Sequence, residues 1–324
     1  MTQPQSNDYT KALAEAAALY AVAKAAPEPL DAIAATARAT VQASQLVQLT
    51  VTQKILALWK RTNPYDDRAV AAFAAAAGRE MIPAQQVVAR LTAAARTEQL
   101  RMSGVRVTIT PRVPDNVRSA APDGKLVRRP RSEVQYEDGN RHVTQASSNT
   151  NRVFVRVADN FRYTRSRSDQ ATANTAAERR IETLVDGNMQ VVRSHVEFQS
   201  MQQAVDLDRP IIGYRRIIHP ELSMGGVCGM CVVAADRIYK TAELKAIHLR
   251  CKCAVLEVFE DYDPGHQLNS KDLAALYEAA GGSTRKQLKR TRYKIVDHAE
   301  LGPMLTPVKG SPVPYFPADV LVPA

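Results

Sequence analysis

The chain has 324 residues, of which 45% are hydrophobic, 23% charged and 6% aromatic. This is the composition of a globular protein, and it excludes wholesale disorder and a collagen-like repeat. Charge interrupts every apolar stretch and the first residues lack a basic n-region, so we expect no membrane span or signal peptide and a soluble protein made in a cytoplasm. The 43 basic and 33 acidic residues give a net charge of +10, which favours polyanionic or acidic partners.

Residues 1–104 are predicted to form a helical module that docks on another protein. Alanine is frequent in this part of the chain, and larger apolar residues recur at helical spacing. One helix is expected from about Leu30 to Arg61, and a further helix near Pro83, because proline suits the first turn. Since large side chains are few, we expect these helices to pack closely or to gain stability from a partner.

Residues 105–150 are predicted to be a basic, proline-containing linker or arm. The pattern from Val105 to Ile109 alternates as in one short strand, and the polar run from Ser132 to Thr150 has no periodicity. Eight basic and two acidic residues lie between Arg101 and Arg131. Two interpretations stay open: a solvated basic loop, or an arm that contacts nucleic acid or an acidic surface. The candidate contact residues here and in a second basic cluster are Arg128, Arg129, Arg131, Arg285, Lys286, Lys289, Arg290 and Arg292.

Residues 151–300 are predicted to form a second domain built on a long helix. The stretch from Ala176 to Gln203 has apolar residues on one face over more than six turns, which favours a single helix. The segment from Ile211 to Phe259 is rich in β-branched residues and glycine, so we expect short strands around a small core. Residues 301–324 contain six prolines and are predicted to be an extended tail.

The sharpest chemical signal is a cluster of cysteines. All four cysteines fall within 26 residues, Cys228 and Cys231 as CxxC and Cys251 and Cys253 as CxC, with His248 shortly before the second pair. A CxxC turn directs two thiolates at one point, and a later pair completes a tetrahedron around Zn²⁺. The spacing therefore predicts a structural zinc site. Either all four cysteines bind the ion and His248 orients them, or His248 replaces one cysteine.

Other chemistry at these residues stays open. The thiols can pack as small hydrophobic groups, form a redox-active CxxC, or act in thiol catalysis with His248. The sequence contains no nucleophile elbow, HExxH helix, phosphate-binding loop or dinucleotide motif. A serine protease can be drawn from Ser223 and His219 with His142, His195 or His298, but six histidines in 324 residues place some histidine near a serine by chance. Asp261 with Asp263 is typical of a turn rather than a cation site. We therefore assign no catalytic residue.

Four blocks of sequence follow one another from Gly213 to Cys253: GYRRIIHPELS, GGVCGMC, ADRIY and HLRCKC. These blocks resemble the Mu F-like domain of minor head proteins from tailed bacteriophages, most closely the version in phages of actinobacteria. The hallmark of that domain is a CxxC, a spacer that ends in a histidine, and a final CxC. With the preceding long helix and the segments that follow, the resemblance covers the chain from Asn151 to Pro303.

The residues and this resemblance together predict an α+β, mostly helical protein, whose C-terminal Mu F-like domain has a long helix and a small core cross-linked through cysteine and histidine. The resemblance implies a minor capsid, head-morphogenesis protein that associates with the portal during procapsid assembly and stays in the head interior of the virion. Its expected partners are the portal protein, major capsid or scaffold proteins and, non-specifically, packaged DNA, but no membrane.

Two alternative functions accompany this interpretation. Proteins of this kind are often labelled capsid maturation proteases, so one alternative is a serine-type head maturation protease. The second is a DNA-binding packaging accessory, in which the basic segments carry the function. Because the sequence offers no catalytic site, we expect the protein not to be an enzyme.

Overall fold

The computed structural model describes residues 9–26, 28–119, 132–136, 139–143, 149–204, 209–219, 229–240, 251–279, 293–298 and 302–307. The helices are α1 (Thr10–Lys24), α2 (Pro29–Trp59), α3 (Asp67–Met102), α4 (Val155–Arg165), α5 (Gln170–Gln203), α6 (Gly229–Ala235) and α7 (Pro264–Ala279). The strands are β1 (Ser132–Tyr136), β2 (Gly139–Val143), β3 (Ile211–Ile217), β4 (Ile238–Tyr239), β5 (Ala254–Phe259), β6 (Tyr293–His298) and β7 (Gly302–Pro307). The described chain is mostly helical with a small three-stranded antiparallel sheet, which confirms the α+β class.

Helices α1 to α5 share one hydrophobic core. Helix α2 packs on α1 and α3, and α5 packs on α2, α3 and α4. Alanines such as Ala43, Ala77 and Ala177 are fully buried, and small side chains at a contact let helix axes approach closely. The alanine-rich helices of residues 1–104 therefore find packing partners inside the chain, because α4 and α5 cover them.

Helix α3 runs through Pro83 instead of beginning there. The helix begins at Asp67, after Asp66 has capped it by accepting two main-chain N–H bonds. A proline in a helix interior removes one hydrogen bond and costs roughly 3 kcal/mol. Apolar burial on both sides of the proline, with Met81 and Ala84 fully buried, offsets that cost. The expected helix start near Pro83 is wrong, because tertiary packing overrides the local preference of proline.

The segment 105–114 lies along α5 without forming the predicted strand, and a short 3₁₀ helix follows at Val117–Ser119. The Thr110 N–H donates to Oε1 of Gln203 at 2.9 Å, and Nε2 of Gln203 donates to the Thr110 carbonyl at 3.1 Å. Gln199 makes the same pair of bonds with the main chain of Arg112, at 2.8 and 2.6 Å. Two glutamines one helical turn apart thus make the hydrogen bonds with main-chain N–H and C=O groups that a neighbouring strand would otherwise make.

Two hairpins occupy segments for which the sequence predicted no regular structure. Strand β1 pairs antiparallel with β2, inside the polar run that lacks periodicity. Strand β6 pairs antiparallel with β7, which includes the first residues of the predicted proline-rich tail. Pro303 and Pro307 are four residues apart in β7, so both nitrogen atoms lie on the same side of the strand, an arrangement that an edge strand tolerates.

The three-stranded sheet has β3 at its centre, between β4 and β5, and both pairings are antiparallel. Helix α7 packs on β3 and β5. Asp263 caps this helix by accepting a 2.8 Å hydrogen bond from the His266 N–H, and Asp261 accepts a 2.7 Å bond from Arg209. Both aspartates thus have partners within the chain, Asp263 at the start of α7 and Asp261 at Arg209.

Candidate metal centre

Three cysteine side chains converge beside the sheet. Cys231 lies on α6, whereas Cys251 and Cys253 lie in the extended segment that leads into β5. The Sγ atoms of Cys231 and Cys251 are 3.8 Å apart, and all three Sγ atoms lie within 4.8 Å of one another. Cys231 and Cys251 are buried, and Cys253 is half-buried. These three residues, which we call the cysteine centre, can hold a metal ion.

The sulfur geometry fits a tetrahedral zinc ion. Zn–S bonds of about 2.3 Å place neighbouring sulfur atoms of a tetrahedron roughly 3.8 Å apart. The distance of 3.8 Å between Cys231 and Cys251 matches that edge. A disulfide requires an S–S distance of about 2.05 Å, so these cysteines are free thiols. Soft thiolate ligands in this geometry favour zinc among the common divalent metals.

The two remaining candidate ligands lie outside the described residues. Of the five candidates that the sequence predicted, three form the cysteine centre, and the other two, Cys228 and His248, belong to segments that the structure does not describe. A set of four cysteines with His248 as an orienting residue, and a set in which His248 replaces one cysteine, therefore both stay open. Either choice completes a tetrahedron.

The convergence of the three thiols helps to distinguish a metal site from the other interpretations of the cysteines. Thiols that pack as small hydrophobic groups do not need to bring three sulfur atoms to one point, whereas ligands of one metal ion do. A redox pair or a thiol catalyst would involve Cys228 or His248, which lie outside the described part of the chain. The geometry therefore favours a metal site over simple packing.

The electrostatic environment of the centre disfavours three thiolates without a cation. Contact with the Cys231 thiol lowers the pKa of Cys253, but the hydrogen bond with Cys251, burial and the charge of Cys251 raise it, and the pKa lies well above its ordinary value. The charge of Arg216 opposes this rise. The Cys253 thiol is therefore protonated at neutral pH in the absence of a metal ion, and binding of an ion there would release this proton, because thiolate is the form that binds.

Buried polar side chains of β3 and α7 fix the helix that carries Cys231. Arg215 on β3 pairs with Asp263 at 2.7 Å and donates to the Ala235 carbonyl, at the end of α6, at 3.2 Å. Asn269 on α7 donates to the same carbonyl at 3.3 Å. Both donors are buried, with exposed fractions of 6% for Arg215 and 1% for Asn269. The end of α6 is therefore held by two side chains from the sheet region.

The long helix α5 contacts the main chain of the CxC segment. Nη2 of Arg193 donates to the carbonyl oxygen of Cys251 at 3.1 Å. Nζ of Lys252 lies 3.9 Å from Oδ1 of Asp186, which is also on α5. Because Lys252 stands between Cys251 and Cys253, both contacts orient the segment that presents two ligands.

A buried ion pair links α3 to β5 next to the cysteine centre. Arg96 is 3% exposed and pairs with Glu257, which is 2% exposed. Arg96 also donates to the Val255 carbonyl and to two side chains of α3 and α5. Burial lowers the pKa of Arg96 to about 10, so the group is cationic at neutral pH. A small cavity between α2, α3, α5 and β5 is lined by both Arg96 and Cys253.

The sequence analysis missed Arg193, Arg96 and Glu257. A signal for two of them was present, because Arg96 continues the helical spacing of Val88 and Thr92 on a buried face, and Glu257 interrupts the apolar run of β5. A charge at a position that periodicity marks as buried indicates a buried partner. Which residue is that partner depends on the three-dimensional fold, so the sequence pattern does not identify it.

Several predicted residues lie outside the described part of the chain. His219 of the serine–histidine pair follows β3 and is buried, but Ser223 is not described. The protease alternative and the basic contacts therefore stay predictions. The undescribed basic candidates are Arg128, Arg129, Arg131, Arg285, Lys286, Lys289, Arg290 and Arg292.

Among the described residues, no helix has both the length and the apolar character that crossing a bilayer requires. Comparisons with protein-family models, curated proteins and solved structures found no match.

Proposed function

We propose that this protein is a minor capsid, head-morphogenesis protein of a tailed bacteriophage, in which a structural zinc ion cross-links a C-terminal Mu F-like domain. The observation that carries the proposal is the convergence of Cys231, Cys251 and Cys253. These cysteines belong to the CxxC and CxC on which the resemblance to that family depends. In this role the protein associates with the portal during procapsid assembly and remains in the head interior.

The metal supplies stability that the core around the sheet lacks. One apolar cluster against the sheet joins Ile217 and Leu256 to two side chains of α2, and another contains Met201, Tyr214 and Val255. Clusters of this size bury little apolar area. Metal-binding energy becomes folding energy when the unfolded chain has no preformed site. One ion bound by α6 and by the segment before β5 joins parts of the chain that are 20 residues apart.

Metal analysis and chemical unfolding test the zinc part of the proposal. The purified full-length protein should hold about one equivalent of Zn²⁺. Cys251→Ser should lose the metal and several kcal/mol of stability, because the ion contributes to folding, and the same loss in Cys228→Ser would identify Cys228 as the fourth ligand. A chelator should lower the unfolding midpoint of the wild type and leave that of Cys251→Ser unchanged. Metal-free protein with wild-type stability would contradict the site.

Mass spectrometry of purified particles tests the head-morphogenesis part. We expect the protein to be present in few copies and to form cross-links with the portal. The protease alternative instead predicts that a Ser223→Ala and His219→Ala pair abolishes scaffold cleavage, with Ser168→Ala, an exposed serine, as the control. The accessory alternative predicts normal heads that package DNA poorly. Absence of the protein from mature particles would contradict a resident component.

A further inference from the structure

We propose that one end of the helical bundle binds the phosphate backbone of DNA. This surface, which we call the tip, comprises residues 60–68, which run from the end of α2 into the first residues of α3, and residues 162–169, which run from the last turn of α4 to the start of α5. The tip shares no residue with the basic segments that the sequence analysis singled out. The inference concerns this surface alone and holds whether or not the cysteine centre binds zinc.

The two turns of the tip form one surface. Nε of Arg162 donates to the Pro64 carbonyl at 2.6 Å, and Nη2 of Arg162 pairs with Oδ1 of Asp67 at 2.7 Å. The ring of Tyr65 packs edge-on against Phe161, with 6.0 Å between the ring centroids. These contacts fix the position of each turn relative to the other. Charges on the two turns therefore act on one ligand.

The outward charge of the tip is positive. Its two segments contain six basic and three acidic residues. Asp66 and Asp169 cap α3 and α5 by accepting main-chain N–H bonds at 2.8 and 2.7 Å, and Asp67 pairs with Arg162. All three carboxylates are thus bound by the protein itself, at two helix N-termini that are themselves positive. The basic residues, all exposed except the half-buried Arg162, are Lys60, Arg61, Arg68, Arg162, Arg165 and Arg167.

Two exposed tyrosines stand among these cations. Tyr65 is 63% exposed and Tyr163 is 51% exposed. The guanidinium carbon of Arg167 lies 4.7 Å from the centroid of the Tyr163 ring, so stacking orders this cation before any ligand binds. Tyrosine hydroxyls and arginine forks are among the groups that bind phosphate oxygens. An arrangement of ordered arginines with exposed tyrosines is typical of contact with a polyanion.

DNA fits the tip better than an acidic protein surface does. A protein interface needs an apolar centre that loses its water, and the apolar exposure of the tip is limited to two residues that each carry a hydroxyl group. Both segments of the tip are helix ends with the turns that join them, so the tip presents no helix side or strand that could lie in a groove and contact base edges. The contact we propose is therefore independent of DNA sequence and sensitive to salt.

Binding of full-length protein to a mixed-sequence DNA duplex of about 30 base pairs, followed by fluorescence anisotropy, tests the proposal. The variant is Arg61→Gln, Arg165→Gln, Arg167→Gln. The control, Arg38→Gln, Arg79→Gln, Arg90→Gln, removes the same charge from exposed positions elsewhere on the bundle. We expect the tip variant to bind at least about tenfold more weakly and to lower the salt slope by about one for each phosphate that the protein no longer neutralises. The control should change affinity by less than about threefold, since only its net charge differs.

A second variant separates the aromatic contribution from the charge. Tyr65→Ser with Tyr163→Ser should weaken binding several-fold and leave the salt slope unchanged, because no cation is removed. Thermal unfolding of every variant shows whether the bundle is intact. Equal weakening of binding in the tip variant and the control would overturn the proposal, since net charge alone would then explain both results. Unchanged DNA binding in a tip variant that no longer cross-links to an acidic head protein would also overturn it.

Discussion

Nη2 of Arg193 donates a 3.1 Å hydrogen bond to the carbonyl oxygen of Cys251, so the long helix α5 anchors the main chain at a candidate metal ligand. Arg193 is not a ligand. Its contact determines where the sulfur of Cys251 points, because the carbonyl and the side chain belong to the same residue. Partners that orient ligands in this way commonly change metal affinity when they are removed. If the cysteine centre binds zinc, as we propose, its affinity for the ion should depend on the position of α5.

We expect Arg193→Met to weaken Zn²⁺ binding by about tenfold or more, since the Cys251 main chain is then no longer anchored. Chelator competition measures the affinity. The visible absorption of the Co²⁺-substituted protein reports ligand geometry, which a general loss of stability does not alter. Arg179→Met, an exposed arginine on the same helix, is the control and should behave as wild type. Equal affinity and an unchanged spectrum in Arg193→Met would contradict a positioning role.

Arg96→Met should destabilise the protein by about 3–5 kcal/mol, because it leaves the carboxylate of Glu257 buried without its cation. The double variant Arg96→Met, Glu257→Met removes both charges and should recover a large part of that stability. Urea unfolding of the wild type, both single variants and the double variant gives the coupling energy. Additive effects would mean that the two residues do not stabilise the fold as a pair.

Gly78→Ala should destabilise the protein by about 1–3 kcal/mol, although a glycine-to-alanine change inside a helix ordinarily stabilises it by up to about 1 kcal/mol. The reason is a close approach, since a Cβ atom at Gly78 would lie 2.7 Å from the Cα atom of Asn151. Asn151→Ala should not rescue the variant, because the obstacle includes main-chain atoms. Thermal unfolding measures both variants. A stabilised Gly78→Ala would show that the two segments separate easily.

The helical bundle and the sheet should unfold in one transition. Trp59, the single tryptophan, packs 5.2 Å from Phe73 in a core that also contains Phe259 of β5. Tryptophan fluorescence reports the bundle, and the absorption of bound Co²⁺ reports the cysteine centre. We expect the two signals to change at the same denaturant concentration, because the core they depend on is shared. Separate midpoints would instead support independent folding of residues 1–104 and 151–300.

Helix positions followed from the sequence where one face is apolar over many turns. The predicted helix from about Leu30 to Arg61 corresponds to α2, and the stretch from Ala176 to Gln203 lies within α5. Pro83 misled the prediction because burial on both sides outweighs its local cost. The segment after Val105 misled it because its hydrogen-bond partners are glutamine side chains of α5, about 90 residues later in the chain. A sequence pattern within one segment does not indicate hydrogen-bond partners that lie so far away in the chain.

The candidate site was likewise predictable from the sequence only in part. Cysteine spacing indicated the three thiols that converge, because ligands of one ion have to be close in the chain or in the fold, and these three fall within a short stretch of the chain. Arg96 and Glu257 are 161 residues apart, so only the packing of α3 against β5 brings them together. Arg193 lies 58 residues before Cys251 and contacts its main chain, which has no sequence signature.

Helix α5 has 34 residues and is therefore about 51 Å long. It begins beside the tip, at Gln170, and Arg193 meets the cysteine centre roughly 35 Å further along. A continuous helix packed over its length behaves as a rigid spacer, so a ligand at the tip and an ion at the cysteines keep a constant separation. Removing seven residues from the helix would shorten this spacing by about 10 Å and preserve the face that each end presents. Helix α5 therefore sets the distance between the tip and the cysteine centre.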